Sequence, residues 1–315
     1  MSASYLYAQG PVTDAEFEEL AARFIDEMPE HSPVSATQLG DHRFDAQLDR
    51  VDSATRAARK ELFERYLSEV TALDRDELSR ANQVDAELLR HELEAGLWSL
   101  AELQSWAWNP LDYTDLAGSA IYGLLAREFA PLEERLLRVE ARLRQLPRFF
   151  EQMRENLDPL RVPRIHAETA IRQHAGLMSL VDAMVVPEMA NLKPGVRARL
   201  AIAIGIAREA ARVQGMWLET ELLPRAEGEF RLGEDLYEQK LHYTLNSPLT
   251  RREVRVRAER EFGLVRDAMY EVASMVYGAK YPYADLPERP ADDLMQAIIR
   301  AALEEAYLQI PDRDE

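Results

Sequence analysis

Of the 315 residues, 38 are Lys or Arg and 56 are Asp or Glu, and the resulting charge of −18 repels phosphate backbones and anionic lipid surfaces, so neither nucleic acid nor a membrane is an expected partner. Cysteine is absent, which removes disulfides, thiolate zinc sites, iron–sulfur clusters and cysteine nucleophiles. With 47% hydrophobic residues, only 13 glycines and no basic-then-apolar leader in Met1–Gly10, the composition predicts a cytoplasmic all-α protein, a single array of roughly ten helices with no substantial sheet.

In chain order, Phe17, Leu20, Ala21, Phe24, Ile25 and Met28 mark one helical face after a Thr13–Glu16 capping box, with Pro29 and Pro33 ending the helix. A turn-rich passage at Gly40–Asp45 follows. Helices are predicted next from about Ser53 to Val70, with Leu62, Phe63, Tyr66, Leu67 and Val70 inward, and through Val84, Leu88, His91, Ala95 and Trp98. Trp106, Trp108, Asn109, Pro110 and Tyr113 read as an aromatic connection, because Pro110 disfavours helical geometry at Asn109. Helical patterns resume from about Leu116 and from Pro131, the latter interrupted at Pro147, and continue over Arg164–Met189, Pro194–Leu223, Gly233–Leu245 and Thr250–Tyr277. The last of these has a Thr250–Glu253 capping box and Gly278 as its C-terminal cap. The expected organisation is a helical domain over 1–280, a Pro-rich linker at 281–290, and a C-terminal helix with a polar tail at 291–315.

Few side chains cluster with the spacing that chemistry requires. His91 lies between Glu87 and Glu94, but also on the apolar stripe, which fits a core histidine or an ion pair better than a ligand. The string HELEA has Ala95 where the zinc-protease motif needs its second histidine. His166 and His174 are separated by about 12 Å of helix rise, too far to share one ion. Asp292 and Asp293 resemble the start of an aspartate-rich magnesium motif, yet Gln296 stands in place of a third acid, and the pair more simply opens a helix. No G-x-S-x-G, S-x-x-K, G-x-G-x-x-G or P-loop pattern occurs, so no catalytic residue is assigned. Three groups are binding candidates. Asp41, His42 and Arg43 either orient a ligand or pin a turn; His166, Glu168, Thr169 and Gln173 form either a polar groove wall or ordinary helix-start electrostatics; Tyr113, with Trp106 and Trp108, lines a groove or anchors a core.

Four strings carry a further signal: SPVSATQLGDHRFD at Ser32–Asp45, REFAPLEERLLRVEARLRQLPRFFEQMRENL at Arg127–Leu157, PRIHAETAI at Pro163–Ile171 and EGEFRLGEDLYEQKL at Glu227–Leu241. In that order they resemble the bacterial domain-of-unknown-function family 885, over about Phe17–Tyr277. Members of that family are longer helical proteins that look like zinc metallopeptidases, with an H-E-x-x-H helix in their C-terminal part. The resemblance therefore implies that this chain matches the N-terminal helical half, one wall of a deep substrate channel, and no position here matches the zinc ligands or the general-base Glu. On that reading the chain is not an autonomous hydrolase, zinc enters only with the C-terminal half, and an apolar face stands open for that half or for another chain. The alternative is a non-catalytic binding or scaffold protein for a peptide, a small molecule or a copy of itself.

Overall fold

The computed structural model describes residues 12–288 and 290–310, and every regular element among them is helical, as the composition predicts. The only extended pairing among the described residues is an isolated parallel bridge between Pro163 and Gly228. None of their helices is long and apolar enough to cross a membrane. Met1–Gly10 and the polar tail Pro311–Glu315 lie outside the described residues. The chain separates into two compact units, the first running to Tyr237 and the second starting at Glu238.

The first unit opens with α1 (Val12–His31), α2 (Pro33–Leu39), α3 (Ser53–Ala72) and α4 (Arg80–Trp98). Phe17 and Leu20 of α1, Leu62, Phe63, Tyr66 and Val70 of α3, and Leu93 of α4 share one core. Each large side chain removed from water there contributes roughly 1.5–3 kcal/mol. Asp52 caps α3 by accepting from the Thr55 amide at 2.8 Å. Two expectations are corrected in α1. Thr13 lies within the first turn and donates its hydroxyl to Glu77 at 3.1 Å, so it ties α1 to a neighbouring turn instead of capping it. Pro29 lies inside the helix, where it forgoes one backbone hydrogen bond in the last turn, and the helix ends two residues later.

A wide π-type turn at Ser99–Leu103 extends α4 and closes at Gln104, whose φ of 50° and ψ of 41° reverse the chain into α5 (Ser105–Trp108). Asn109 is extended, as Pro110 demands, but α6 (Pro110–Leu125) begins directly after it and not near Leu116. Proline at the first helical position gives up an amide that would have lacked a partner anyway. Then follow α7 (Leu132–Leu143), α8 (Leu146–Asn156), α9 (Arg164–Met184) and α10 (Pro194–Trp217), with Pro147 in the first turn of α8, where it divides the predicted helix. Ile121, Leu136, Val139, Leu143, Phe149, Val181, Ala203 and Leu218 are among the buried residues of their common core.

The boundary between units falls within α11 (Glu234–Leu245). In the second unit α12 (Arg251–Lys280) packs on α13 (Asp292–Tyr307) around Tyr270, Ala273, Met295, Ile298 and Ala302. The predicted Thr250–Glu253 capping box is present. Gly278 does not end α12. The helix runs on to Lys280, which pairs with Glu305 of α13, so the contact with α13 prolongs it past the glycine. The proline-rich segment lies between these two helices, pinned by the Tyr270 hydroxyl, which donates to the Pro287 carbonyl at 2.6 Å.

Candidate functional site

A cavity of about 220 Å³ opens in the first unit between α3, the wide turn after α4, α5 and α6. Arg56 and Arg59 reach it from α3. Arg56 donates through Nη1 to the Val51 carbonyl and to Asn156 Oδ1, both at 2.7 Å, and its guanidinium lies 4.1 Å from the centroid of the Trp106 ring. Arg59 behaves differently. Its Nε is shut off from solvent with no hydrogen-bond partner. Burial pulls its pKa down, and the charges of Asp49 and Glu92 oppose that pull.

Two carboxylates also face the cavity. Asp49 is buried, which pushes its pKa up, while it accepts from the Val34 amide at 2.9 Å. Burial likewise raises the pKa of Asp112, which is held by Asn109 Nδ2 at 2.5 Å. Tyr113 completes this wall. Its hydroxyl donates to the Trp106 carbonyl at 2.6 Å and accepts from Asn156 Nδ2 at 3.0 Å, and burial pushes its pKa up to about 12. Trp106 and Trp108 donate to the carbonyls of Leu100 and Leu103, so both anchor the wide turn, and Trp106 also lines the cavity.

The remaining sequence candidates fall elsewhere. Arg43 forks onto Asp41, with its Nη2 at 2.7 Å from Oδ2, and reaches Asp26 on α1. His42 stacks on Phe129 at 3.6 Å and bonds Asp45 at 3.0 Å. This trio pins its turn to the surrounding helices. On α9, Glu168 pairs with Arg164 at 3.0 Å, Thr169 accepts from Arg172 at 2.8 Å, and Gln173 accepts from Thr114 on α6 at 3.0 Å, beside a shallow groove. His166 stacks on Trp108 at 5.8 Å, close enough to Asp112 for that charge to favour its protonation, although burial lowers its pKa overall. Its buried Nδ1 has no hydrogen-bond partner. The structure thus gathers Tyr113 at the cavity and His166 behind Asp112, and leaves Asp41, His42 and Arg43 apart from them.

Among the described residues no group of three or more His, Asp or Glu side chains could hold a metal ion. The cavity's own donors do not fit zinc, because the guanidiniums of Arg50, Arg56 and Arg59 share it with the carboxylates. Glu87 and Glu94 pair with Arg90, and Asp292 pairs with Arg266 at 3.1 Å at the start of α13. His174 is occupied by the Ala211 carbonyl at 2.8 Å. Arg56, Arg59, Asp49 and Asp112 were not among the sequence candidates. A signal for the arginines exists: positions 56, 59, 63, 66 and 70 follow alternating steps of three and four, so both sit on the inward stripe of α3.

A solved structure from Shewanella oneidensis, described as a putative lipoprotein of unknown function, shares this fold with a TM-score of 0.76 at 24% identity. The match covers 95% of this chain and 54% of that one, so this chain spans about half the length of its structural neighbour. No curated protein matches it. The ordered strings noted in the sequence lie largely within residues 33–315, the region matched by the family described as bacterial protein of unknown function (DUF885), and the chain belongs to that family.

Proposed function

We propose that the chain is the helical half of a zinc-metallopeptidase-like protein, forming one wall of a substrate channel, with hydrolysis depending on the H-E-x-x-H half of the family's fold. The observation that carries this reading is the outer face of α12. Phe262, Val265, Met269, Val272 and Val276 recur there at intervals of three and four, and all are exposed, Phe262 to 68% and Val272 to 58%. One exposed valine needs no explanation, but a heptad-spaced row along a 30-residue helix is the pattern of a seam that another helix covers. The length of the Shewanella oneidensis chain outside the match supports the same reading. Zinc would lower the pKa of a bound water for attack on a peptide carbonyl, and no residue of this chain is assigned a part in that step. A cytoplasmic location belongs to the same proposal.

The test is zinc content and peptidase activity of the purified chain, alone and mixed with a polypeptide carrying the H-E-x-x-H half of a family member. Alone it should show neither; mixed, it should form a complex that a Val265→Glu, Val272→Glu double variant fails to form. Stoichiometric zinc with hydrolysis by the chain alone overturns the proposal, as does a double variant that associates like the unmodified chain. A second reading, a binding protein for a small molecule or peptide, is favoured by the unpartnered Arg59 Nε at the cavity.

A further inference from the structure

We propose that the cavity between α3 and α6 binds a carboxylate carried on a small apolar body, gripped by the guanidiniums of Arg56 and Arg59. The inference stands on the cavity alone and does not depend on the metallopeptidase-like reading.

A guanidinium on an inward helical stripe is costly unless acceptors surround it. Other buried arginines of this unit find acceptors, and even Arg148, whose Nε is also unpartnered, donates through Nη2 to the carbonyls of Leu48 and Asp49. Arg142 donates to three backbone carbonyls and the Thr37 hydroxyl, and Arg135 donates to the carbonyls of Leu124, Leu125 and Ala130. At Arg59 the buried Nε has no acceptor at all, and this orphaned donor belongs to a side chain lining an open cavity. Asp49, whose charge favours that of Arg59, spends an oxygen on the Val34 amide instead. A ligand oxygen is the missing acceptor.

The second guanidinium is already positioned. Stacking on Trp106 holds the Arg56 plane, and its bonds to Val51 and Asn156 use Nη1, which leaves its other edge for a planar anion. The ligand's charge follows from the opposing wall. Arg50, Arg56 and Arg59 line the same space as Asp49 and Asp112, which leaves one positive charge over; a monoanion balances it, whereas a dianion such as phosphate exceeds it and meets two carboxylates. Leu100, Trp106 and Leu116 supply an apolar surface for the rest of the molecule. This chemistry occurs both in a free aromatic or aliphatic carboxylic acid and at the C-terminus of a peptide.

The experiment is calorimetric titration of the full chain, with the Arg59 Nε–H resonance followed by NMR. The probes are phenylacetate, phenylacetamide, glycyl-phenylalanine, its C-terminal amide, and inorganic phosphate. At least one acid should bind at least about tenfold more tightly than its amide and shift the Arg59 resonance, since only the acid offers a charged planar acceptor. Binding of phenylacetate alone identifies a free small acid, and binding of the dipeptide alone identifies a chain terminus; either supports the site. Arg59→Lys, which keeps the charge and loses the fork, should weaken binding at least about tenfold, while Arg43→Lys outside the cavity should not. The acid-to-amide comparison on the unmodified chain needs no variant to fold. Equal binding of acid and amide, phosphate binding as tightly as the acids, or no shift of the Arg59 resonance with any acid at millimolar concentration overturns the proposal.

Discussion

Arg142 occupies a position on the inward face of α7 and is wholly buried. It donates to the carbonyls of Gln47 at 2.9 Å, Ala120 at 2.8 Å and Pro33 at 3.2 Å, and to the Thr37 hydroxyl at 2.6 Å, which in turn donates to buried Asp45 at 2.6 Å. Burial lowers its pKa to about 10 against the pull of Asp45 and Asp49, so it remains charged at neutral pH and fastens the segment that carries Asp41, His42 and Arg43. Arg142→Met leaves the three carbonyls without their donor and removes the positive charge near Asp45, which keeps its bonds to Thr37 and His42, and should lower stability in urea unfolding by about 3–5 kcal/mol; a loss under about 1 kcal/mol would refute the clamp. His174 gives a pH signature. A carbonyl can only accept, so its Nε2 carries the hydrogen donated to Ala211, and burial lowers the ring's pKa from the ordinary 6.5. The unfolded chain therefore takes up a proton first, and stability present above pH 6.5 is lost as pH falls through that value towards the lowered folded one. His166 acts in the same sense; Asp49 and Asp112, whose pKa values are raised from 3.8, act in the opposite sense, gaining stability as pH falls through their raised folded values. Between about pH 7 and pH 5 the slope of stability against pH should be less positive in His174→Phe than in the unmodified chain, and an unchanged slope in that variant excludes His174 as a contributor. At this scale the sequence is partly legible. Arg56, Arg59 and Arg142 all stand on stripes whose neighbours are apolar, which is visible without coordinates. The meeting of Asp112 with His166 is not, since it depends on how α6 packs on α9.

At two glycines the chain approaches a neighbour too closely for a Cβ, and what that side chain would strike decides the cost. On α4, a Cβ at Gly96 would lie 2.4 Å from the Phe63 ring of α3. Alanine improves helix propensity by about 1 kcal/mol, while overpacking a core costs about 1–3 kcal/mol, so Gly96→Ala should be neutral to destabilising by up to about 2 kcal/mol, with any strain relieved by rotation of Phe63. At Gly228 the obstacle is backbone: a Cβ would lie 2.1 Å from the Arg161 carbonyl oxygen, beside the hydrogen bond from the Gly228 amide to the Val162 carbonyl at 3.0 Å. Gly228→Ala should therefore destabilise more than Gly96→Ala and loosen the entry to α9, and the reverse order in thermal unfolding would contradict this packing. Helix existence is legible from apolar periodicity and helix starts from local chemistry, as the Thr250–Glu253 box and Pro147 show. Helix ends are less so. Pro29 is absorbed into a last turn and Gly278 is passed over because Lys280 finds Glu305 on another helix, a tertiary contact that no local pattern announces.

Over the whole molecule, burial is distributed unevenly between the two units. The first is built around two cores of large side chains, whereas the buried cluster described in the second holds Tyr270, Ala273, Met295, Ile298 and Ala302, two of them alanines. Local stability follows buried apolar contact, so α12 and α13 should open at lower free energy than α6–α8. Native-state hydrogen exchange is expected to give amides near Ala273 protection well below those near Ile121 and Phe149. Equal protection would mean that the second unit draws its stability from something other than its own core. On the proposed reading the exposed row on α12 connects this energetic asymmetry to function, because a face covered only by a partner would contribute nothing to the isolated chain and would stabilise only the complex. If a polypeptide carrying the H-E-x-x-H half covers that row, adding it should slow exchange along Phe262–Val276 and leave α6–α8 unchanged. Slowing confined to the first unit would place the partner on a different face and separate the α12 seam from the assembly.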